Sequence, residues 1–284
     1  MVVSVIVPCR NGARHLPRLL ASLVDQAIPE RAEIIVVDNG STDGSQRIAR
    51  HATGRIPVRT IEATERASAA YARNVGADSA RGFKLIFVDA DDEVAPGYVA
   101  AISAALDNHP FVTSKVDSET LNDAWIRECH GAAWQAHGVS VFFDFLPATG
   151  VNVGVSRQVF QRLGGFAEQF EPSEDIAFSW TVQLQGMSIH FVPEAVYRYR
   201  YRESLHALFR QSRRWGRSNV ALYRSFRHLG MPAREVRCSV AEAVSAVLSA
   251  FALRRRDDWA RAAVALGYFV GRLVGSIRYR ALYL

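Results

Sequence analysis

Lys84 to Glu93 reads KLIFVDADDE, an apolar run that stops in a cluster of carboxylates. Leu85, Ile86, Phe87 and Val88 crowd β-branched and aromatic side chains together without polar alternation, which predicts a short strand buried on both faces. The acids then fall at the C-terminal end of a strand. In open α/β sheets that edge is where ligands bind, and Asp89 and Asp91, two residues apart in extended chain, point the same way. Two hard oxygen ligands aimed together suit Mn2+ or Mg2+ carrying a substrate phosphate. The same letters also suit an acidic turn that simply ends a strand. An EF-hand loop starting at Asp89 fits poorly, because its sixth position requires glycine and Val94 stands there.

Upstream of that stretch, strands and helices alternate. Val2 to Pro8 is β-branched and closed by proline, and Leu16, Leu19, Leu20, Leu23 and Val24 then recur at helical spacing. Glu33 to Asp38 (EIIVVD) is the next strand, followed by NGSTDGS, in which Ser41 and Thr42 are expected to cap a helix carrying Ile48. Val58 to Ile61 reads as a third strand and Ala67 to Ala80 as a helix. This βα alternation predicts parallel strands with crossover helices. Neither early strand is followed by GxGxxG, which argues against a dinucleotide-binding Rossmann enzyme.

Downstream, Gly97 to Leu106 reads as a helix, and the pattern is then irregular through Pro147, with scattered Trp125, Trp134, His130 and His137. The two histidines lack a carboxylate or cysteine in register and are read as ordinary side chains rather than metal ligands. Val151 to Val155 is expected to be a strand and Gly164 to Phe166 (GGF) a turn. In EPSEDIAFSWTVQLQG, Ile176, Trp180 and Leu184 are spaced by four behind Ser173 as N-cap. Glu174 and Asp175 therefore start a helix, where acids also simply complement the helix dipole. Glu203 to Leu229 keeps an apolar stripe of helical period, with Arg210, Arg213, Arg214 and Arg217 opposite it, read on composition as a solvated face. Ser239 to Leu253 and Trp259 to Leu284 form two further apolar segments joined by RRRDD, expected to dock as a helical pair or to lie in a bilayer interface.

Composition bounds the rest. With 284 residues, 49% of them hydrophobic, the chain buries one substantial core, and a formal charge of +6 favours anionic partners. Cys9, Cys129 and Cys238 include no CxxC pair, so neither a disulfide framework nor a zinc site is indicated. Met1 to Cys9 reads as a strand rather than a signal peptide, so the expected location is cytoplasmic, with room for peripheral contact at the inner membrane. No apolar run reaches the roughly 20 residues of a spanning helix, the nearest, Ala262 to Ile277, being broken by Arg272.

Taken in order, VSVIVPCRN, IIVVDNGSTDGS, AYARNVGADSARG, LIFVDADDE, GGF and SED resemble the family 2 inverting glycosyltransferases of the GT-A fold, from about residue 3 to about residue 215. The resemblance implies an α/β fold with a mixed, mostly parallel sheet flanked by helices, followed by a C-terminal helical segment. It divides the chain into a catalytic domain at 1–229, with a nucleotide-binding half at 1–110 and an acceptor half at 111–229, and an appendage at 230–284. It places Pro8, Arg10 and Asp38 around the base and ribose of a UDP-sugar or similar donor, and Arg73 near the nucleotide. Asp89 and Asp91 match the family's DxD, which holds Mn2+ or Mg2+ against the diphosphate. Asp175 of SED matches the catalytic base, with Glu174 beside it at the substrate.

Gln211, Arg214 and Trp215 spell QxxRW, which in processive synthases of cellulose, chitin and hyaluronan helps hold acceptor and diphosphate. Those enzymes carry several membrane helices, so the three residues are read as acceptor or diphosphate contacts without polymerisation. The expected partners are a nucleotide-diphosphate sugar and a glycan or lipid-linked acceptor, with a membrane surface or a second copy of the chain meeting the C-terminal segments. No nucleic-acid motif is present. The expected role is in cell-envelope or exopolysaccharide synthesis. The alternatives are a processive synthase and a nucleotide-sugar-binding module without catalysis.

Overall fold

In the computed structural model, residues 2–130, 135–150 and 152–284 are described; Trp134 and Val151, named above, lie outside them. Ten strands and ten α-helices are found among these residues: β1 Val3–Cys9, α1 Leu16–Leu23, β2 Ala32–Asp38, α2 Ser45–His51, β3 Val58–Glu62, α3 Ala69–Ser79, β4 Lys84–Phe87, β5 Glu93–Val94, α4 Tyr98–Ala105 and β6 Phe111–Asp117. They continue with α5 Ala124–His130, β7 Ser140–Phe142, β8 Leu146–Ala148, β9 Val153–Ser156, α6 Arg157–Arg162, α7 Glu174–Leu184, β10 His190–Arg198, α8 Leu205–Phe226, α9 Val236–Leu253 and α10 Arg256–Tyr279.

Eight strands form one sheet in the order β3-β2-β1-β4-β9-β6-β10-β5, and β7 pairs with β8 separately. β1, β2, β3 and β4 run parallel, whereas β9 is antiparallel to both β4 and β6, and β5 to β10. The runs of β1, β2 and β4 are buried at every position, as continuous apolar strands covered on both faces must be. In register, Cys9 lies opposite Asp38 and Ile6 opposite Phe87, so the polar ends of β1, β2 and β4 emerge on one edge. Helix α3 comes close to this sheet through Gly76, where a Cβ would stand 2.5 Å from Cγ2 of Ile6 and 2.8 Å from Cγ2 of Val37.

Several local expectations change. Ser41 and Thr42 cap nothing, because α2 starts later behind Gly44; instead Asn11 donates its backbone N–H to Ser41 Oγ (3.0 Å) and accepts from Thr42 N (2.8 Å), tying this loop to the end of β1. Ser173 occupies the N-cap position of α7 without a side-chain cap bond. The stretch read as irregular contains a central strand, β6, and the helix α5.

The molecule divides into two compact units. The first holds the large sheet with α1 to α4, α6 and α7. The second joins α5 to everything from Arg200 onward, so the boundary expected at 229 falls within it. Within that second unit α10 lies on α8 nearly backbone to backbone. A Cβ at Gly267 would stand 2.7 Å from the Phe209 carbonyl oxygen and one at Gly275 3.0 Å from that of Arg217, while Gly271 faces the Arg213 carbonyl. By length and composition α10 is the one helix among the described residues that could cross a bilayer, and its glycine face is already taken by α8.

Candidate active site

The first unit gathers its acids where β4 ends. Strand β4 stops at Phe87, earlier than expected, and Ala90 and Asp91 form a turn closed by Asp92 N donating to the Asp89 carbonyl (3.2 Å). The turn, rather than extended alternation, brings carboxylate oxygens of Asp89, Asp91 and Asp92 within 4.8 Å of one another. Asp92, not singled out from sequence, is buried and accepts from the Tyr197 hydroxyl (2.7 Å), which itself accepts from Asp89 N (3.1 Å). Burial, then the charge of Asp92, raises the Tyr197 pKa far above its ordinary value, so the phenol stays a donor. Like charges this close repel unless a cation or hydrogen bonds compensate them. Hard carboxylate oxygens grouped in this way fit Mn2+ or Mg2+.

Arg73 crosses from α3 to meet the acids. One Nη donates to Asp89 Oδ1 at 2.5 Å and the other to Glu174 Oε1. Burial opposes the Arg73 charge, but Asp89 and Glu174 outweigh it and push its pKa above the ordinary arginine value. The neighbouring Asn74 grips the GGF turn in both directions, accepting from Phe166 N (2.9 Å) and donating to Phe166 O (2.8 Å). Phe166 then packs edge-on to Phe87 at 4.9 Å, under the Arg73 guanidinium 6.0 Å from its ring centre. ARN is thus two devices on one turn of helix: an arginine for the acids and an asparagine for the turn beneath them. The sequence signalled the first, while the second depends on a contact 92 residues away.

Glu174 and Asp175 open α7. Glu174 is buried, and its Oε2 has no hydrogen-bond partner among the described residues. Burial raises its pKa, with Arg73 opposing. Burial, followed by the charge of Glu174, pushes the Asp175 carboxyl up to about 8, although its Oδ1 accepts from Ile176 N (2.7 Å). An acid tuned to that range accepts a proton more readily than an ordinary aspartate.

The remaining expected residues fall in two places. Pro8 is buried near the end of β1 and Arg10 is exposed just after it. Asp38, buried at the end of β2, accepts from Ser41 N at 3.3 Å and from Gln46 Nε2 at 2.9 Å. Gln211, Arg214 and Trp215 belong to the second unit, on α8, where the Trp215 ring lies 6.1 Å from that of Tyr268. His130 also belongs there, stacked 4.1 Å from Tyr201; burial lowers its pKa to about 4, which keeps it neutral.

Residues 4–164 match the family model described as Glycosyl transferase family 2. Among curated proteins, the chain is 34% identical over 153 residues to the uncharacterized glycosyltransferase YibD of Escherichia coli K12, covering 54% of this chain and 41% of that protein. It is 25% identical over 299 residues to the succinoglycan biosynthesis protein ExoA of Rhizobium meliloti, covering 96% of this chain and 86% of ExoA. Among solved structures, the mannosyltransferase PcManGT from Pyrobaculum calidifontis, in complex with GDP-Man and Mn2+, superposes with a TM-score of 0.63 at 20% identity, over 97% of this chain and 86% of that one. At that identity the likeness is one of fold.

Proposed function

Because the chain belongs to glycosyl transferase family 2 and has the GT-A fold, we propose that it moves a sugar from a nucleotide-diphosphate sugar to an acceptor hydroxyl with inversion, with Mn2+ or Mg2+, in building a cell-envelope or exocellular glycan. The observation that carries this reading is the Arg73 bridge. One buried guanidinium holds Asp89 of the acid cluster and Glu174, next to Asp175, although Arg73 and Glu174 are 101 residues apart in sequence. The succinoglycan role in ExoA's name supports the glycan class, and the GDP-Man and Mn2+ of PcManGT support the donor class and the metal.

In this mechanism Pro8, Arg10 and Asp38 line the donor's base and ribose at the ends of β1 and β2. Asp89 and Asp91 hold the cation, which when bound supplies charge compensation for the departing diphosphate. Asp175 takes the proton of the acceptor hydroxyl as that oxygen attacks the anomeric carbon, a contribution of about 10² to 10⁴ in rate. Its raised pKa matches the task, since a base titrating near the working pH combines availability with driving force. Glu174 is held by Arg73 through Oε1, one base is identified, and with no second nucleophilic carboxylate identified among the described residues the family's direct displacement with inversion is the simpler mechanism. Gln211, Arg214 and Trp215 of the acceptor half contact acceptor or diphosphate without polymerisation.

The test pairs two variants. Asp175→Asn keeps shape but not basicity, so calorimetry should find nucleotide diphosphate bound with unchanged Mn2+ dependence while transfer falls by about 10² to 10⁴. Asp91→Ala should lose the Mn2+ dependence itself. Near-normal turnover by Asp175→Asn would remove it as the base, and undiminished Mn2+ dependence in Asp91→Ala would remove the metal assignment.

A further inference from the structure

Charge is unevenly spread along the chain. Residues 200–284 contain 17 arginines, no lysine and five carboxylates, while residues 1–199 contain more acids than bases. The second unit is therefore strongly basic, and its basic groups are guanidinium forks, which match phosphate oxygens in pairs.

That unit also leaves a helix face uncovered. Val236, Val240, Val244, Leu248 and Phe251 recur along one side of α9 and are 40% to 64% exposed. Successive members lie four, four, four and three residues apart, so they form a single stripe about 22 Å long at a rise of ~1.5 Å per residue. The opposite side of α9 is small and buried, with Ser239, Ala243 and Ala250. At the C-terminal end of the stripe Phe251 meets Trp259 edge to face at 5.1 Å, both of them exposed. α10 runs antiparallel to α9, with Arg272 Nη1 donating to Ser239 Oγ (3.1 Å), and over its last turns it exposes Leu273, Val274 and Ile277.

Arginines mark both ends of the stripe. Arg254 closes α9 at the aromatic end, and Arg278 and Arg280 close α10 at the other; of the arginines between the two helices, Arg255 is paired with Glu128 and Asp257, and Arg256 stacks on Trp125. The acids of the two helices are already engaged: Glu235 with Arg237, Glu242 with Arg234, and the buried Asp257 and Asp258 with Arg261. A second copy seated antiparallel on the stripe would set arginine ends against arginine ends. An anionic lipid surface meets the same ends with opposite charge and takes the apolar stripe into its acyl boundary.

We propose that α9 lies flat on an anionic bilayer surface, its Val236-to-Phe251 stripe immersed and the arginines at both ends on lipid phosphates. Rings at the headgroup level and guanidinium groups reaching outward are the arrangement such an interface favours. The proposal is independent of the chemistry proposed for the acids.

The test is co-sedimentation of the full chain with phosphatidylglycerol-containing vesicles and with pure phosphatidylcholine vesicles at low salt, alongside sedimentation velocity without lipid. The chain should pellet with the anionic vesicles and remain in the supernatant with the neutral ones. Val244→Ser/Leu248→Ser/Phe251→Ser should abolish pelleting with the thermal melt unchanged. Arg254→Gln/Arg278→Gln/Arg280→Gln should weaken it by roughly a hundredfold, at about 1 kcal/mol per arginine. If the triple serine variant does not fold, Leu248→Ser alone serves, since that residue is the most exposed of the five. No pelleting with anionic vesicles, or pelleting that the serine variants leave intact, overturns the proposal. So does a lipid-free dimer that the serine variants dissociate, because a second copy then covers the stripe.

Discussion

The acid cluster and the α9 stripe break the same rule in opposite senses. Around Arg73 the first unit buries charged groups that ordinarily stay in water, whereas along α9 the second unit exposes large apolar side chains that are ordinarily inside. The cluster is tolerable because its charges meet within the fold, through Arg73, Tyr197 and backbone N–H groups. The stripe has no such partner among the described residues. A buried charge with internal compensation marks a place for chemistry; an uncovered apolar face with like charges at its ends marks a place for a surface.

Removing the internal compensation should give the largest effect. Arg73→Met takes the shared cation from Asp89 and Glu174, and breaking such a buried pair costs about 3–5 kcal/mol. Urea unfolding at pH 8 should show this loss, and at pH 5 a smaller one, because the stranded carboxylates can then take up protons. Equal losses at both pH values would mean that packing, not charge, is the role of Arg73.

Asp175 sharpens the contrast with an effect of opposite sign. Its folded pKa of about 8 lies above that of an unfolded aspartate, ~3.9. Below the unfolded value both states are protonated. As pH rises towards 8 the unfolded chain releases the proton first, so stability present at low pH is progressively lost. Asp175→Asn, which cannot ionise, should melt higher than the parent at pH 8 with a chelator present. The gap should narrow towards pH 4, and a variant that melts lower at pH 8 would contradict the raised pKa.

Smallest of all is Leu248→Ser in the absence of lipid. A side chain already in water loses little by becoming polar, and surface changes of this kind stay within about 0.5 kcal/mol. A loss of several times that in thermal unfolding would show Leu248 to be part of the core.

Much of this was legible in the letters. β1, β2 and β4 announced themselves as continuous apolar runs, α8 by its period to within a few residues at each end, and α9 and α10 as apolar segments expected to form a helical pair. The α/β expectation with a mixed sheet holds. β6 and β10 were not read as strands, because FVTSKVD mixes polar residues into a central strand and HFVPEAVYR carries Pro193 at an irregularity between Val192 and Val196. Within the site the acids stood out because carboxylates after an apolar run are conspicuous. Asn74, Asp92 and Tyr197 did not, since each matters through a partner far along the chain, as Tyr197 does with Asp92, 105 residues away. Ordinary residue types acquire such roles only when the sheet closes.

The glycine face of α10 has a mechanical consequence. Where Gly267, Gly271 and Gly275 bring its main chain onto α8, no layer of pliable side chains separates the two helices to absorb displacement. A load that shifts α10 is therefore felt directly at Phe209, Arg213 and Arg217, within the turns that carry Gln211, Arg214 and Trp215.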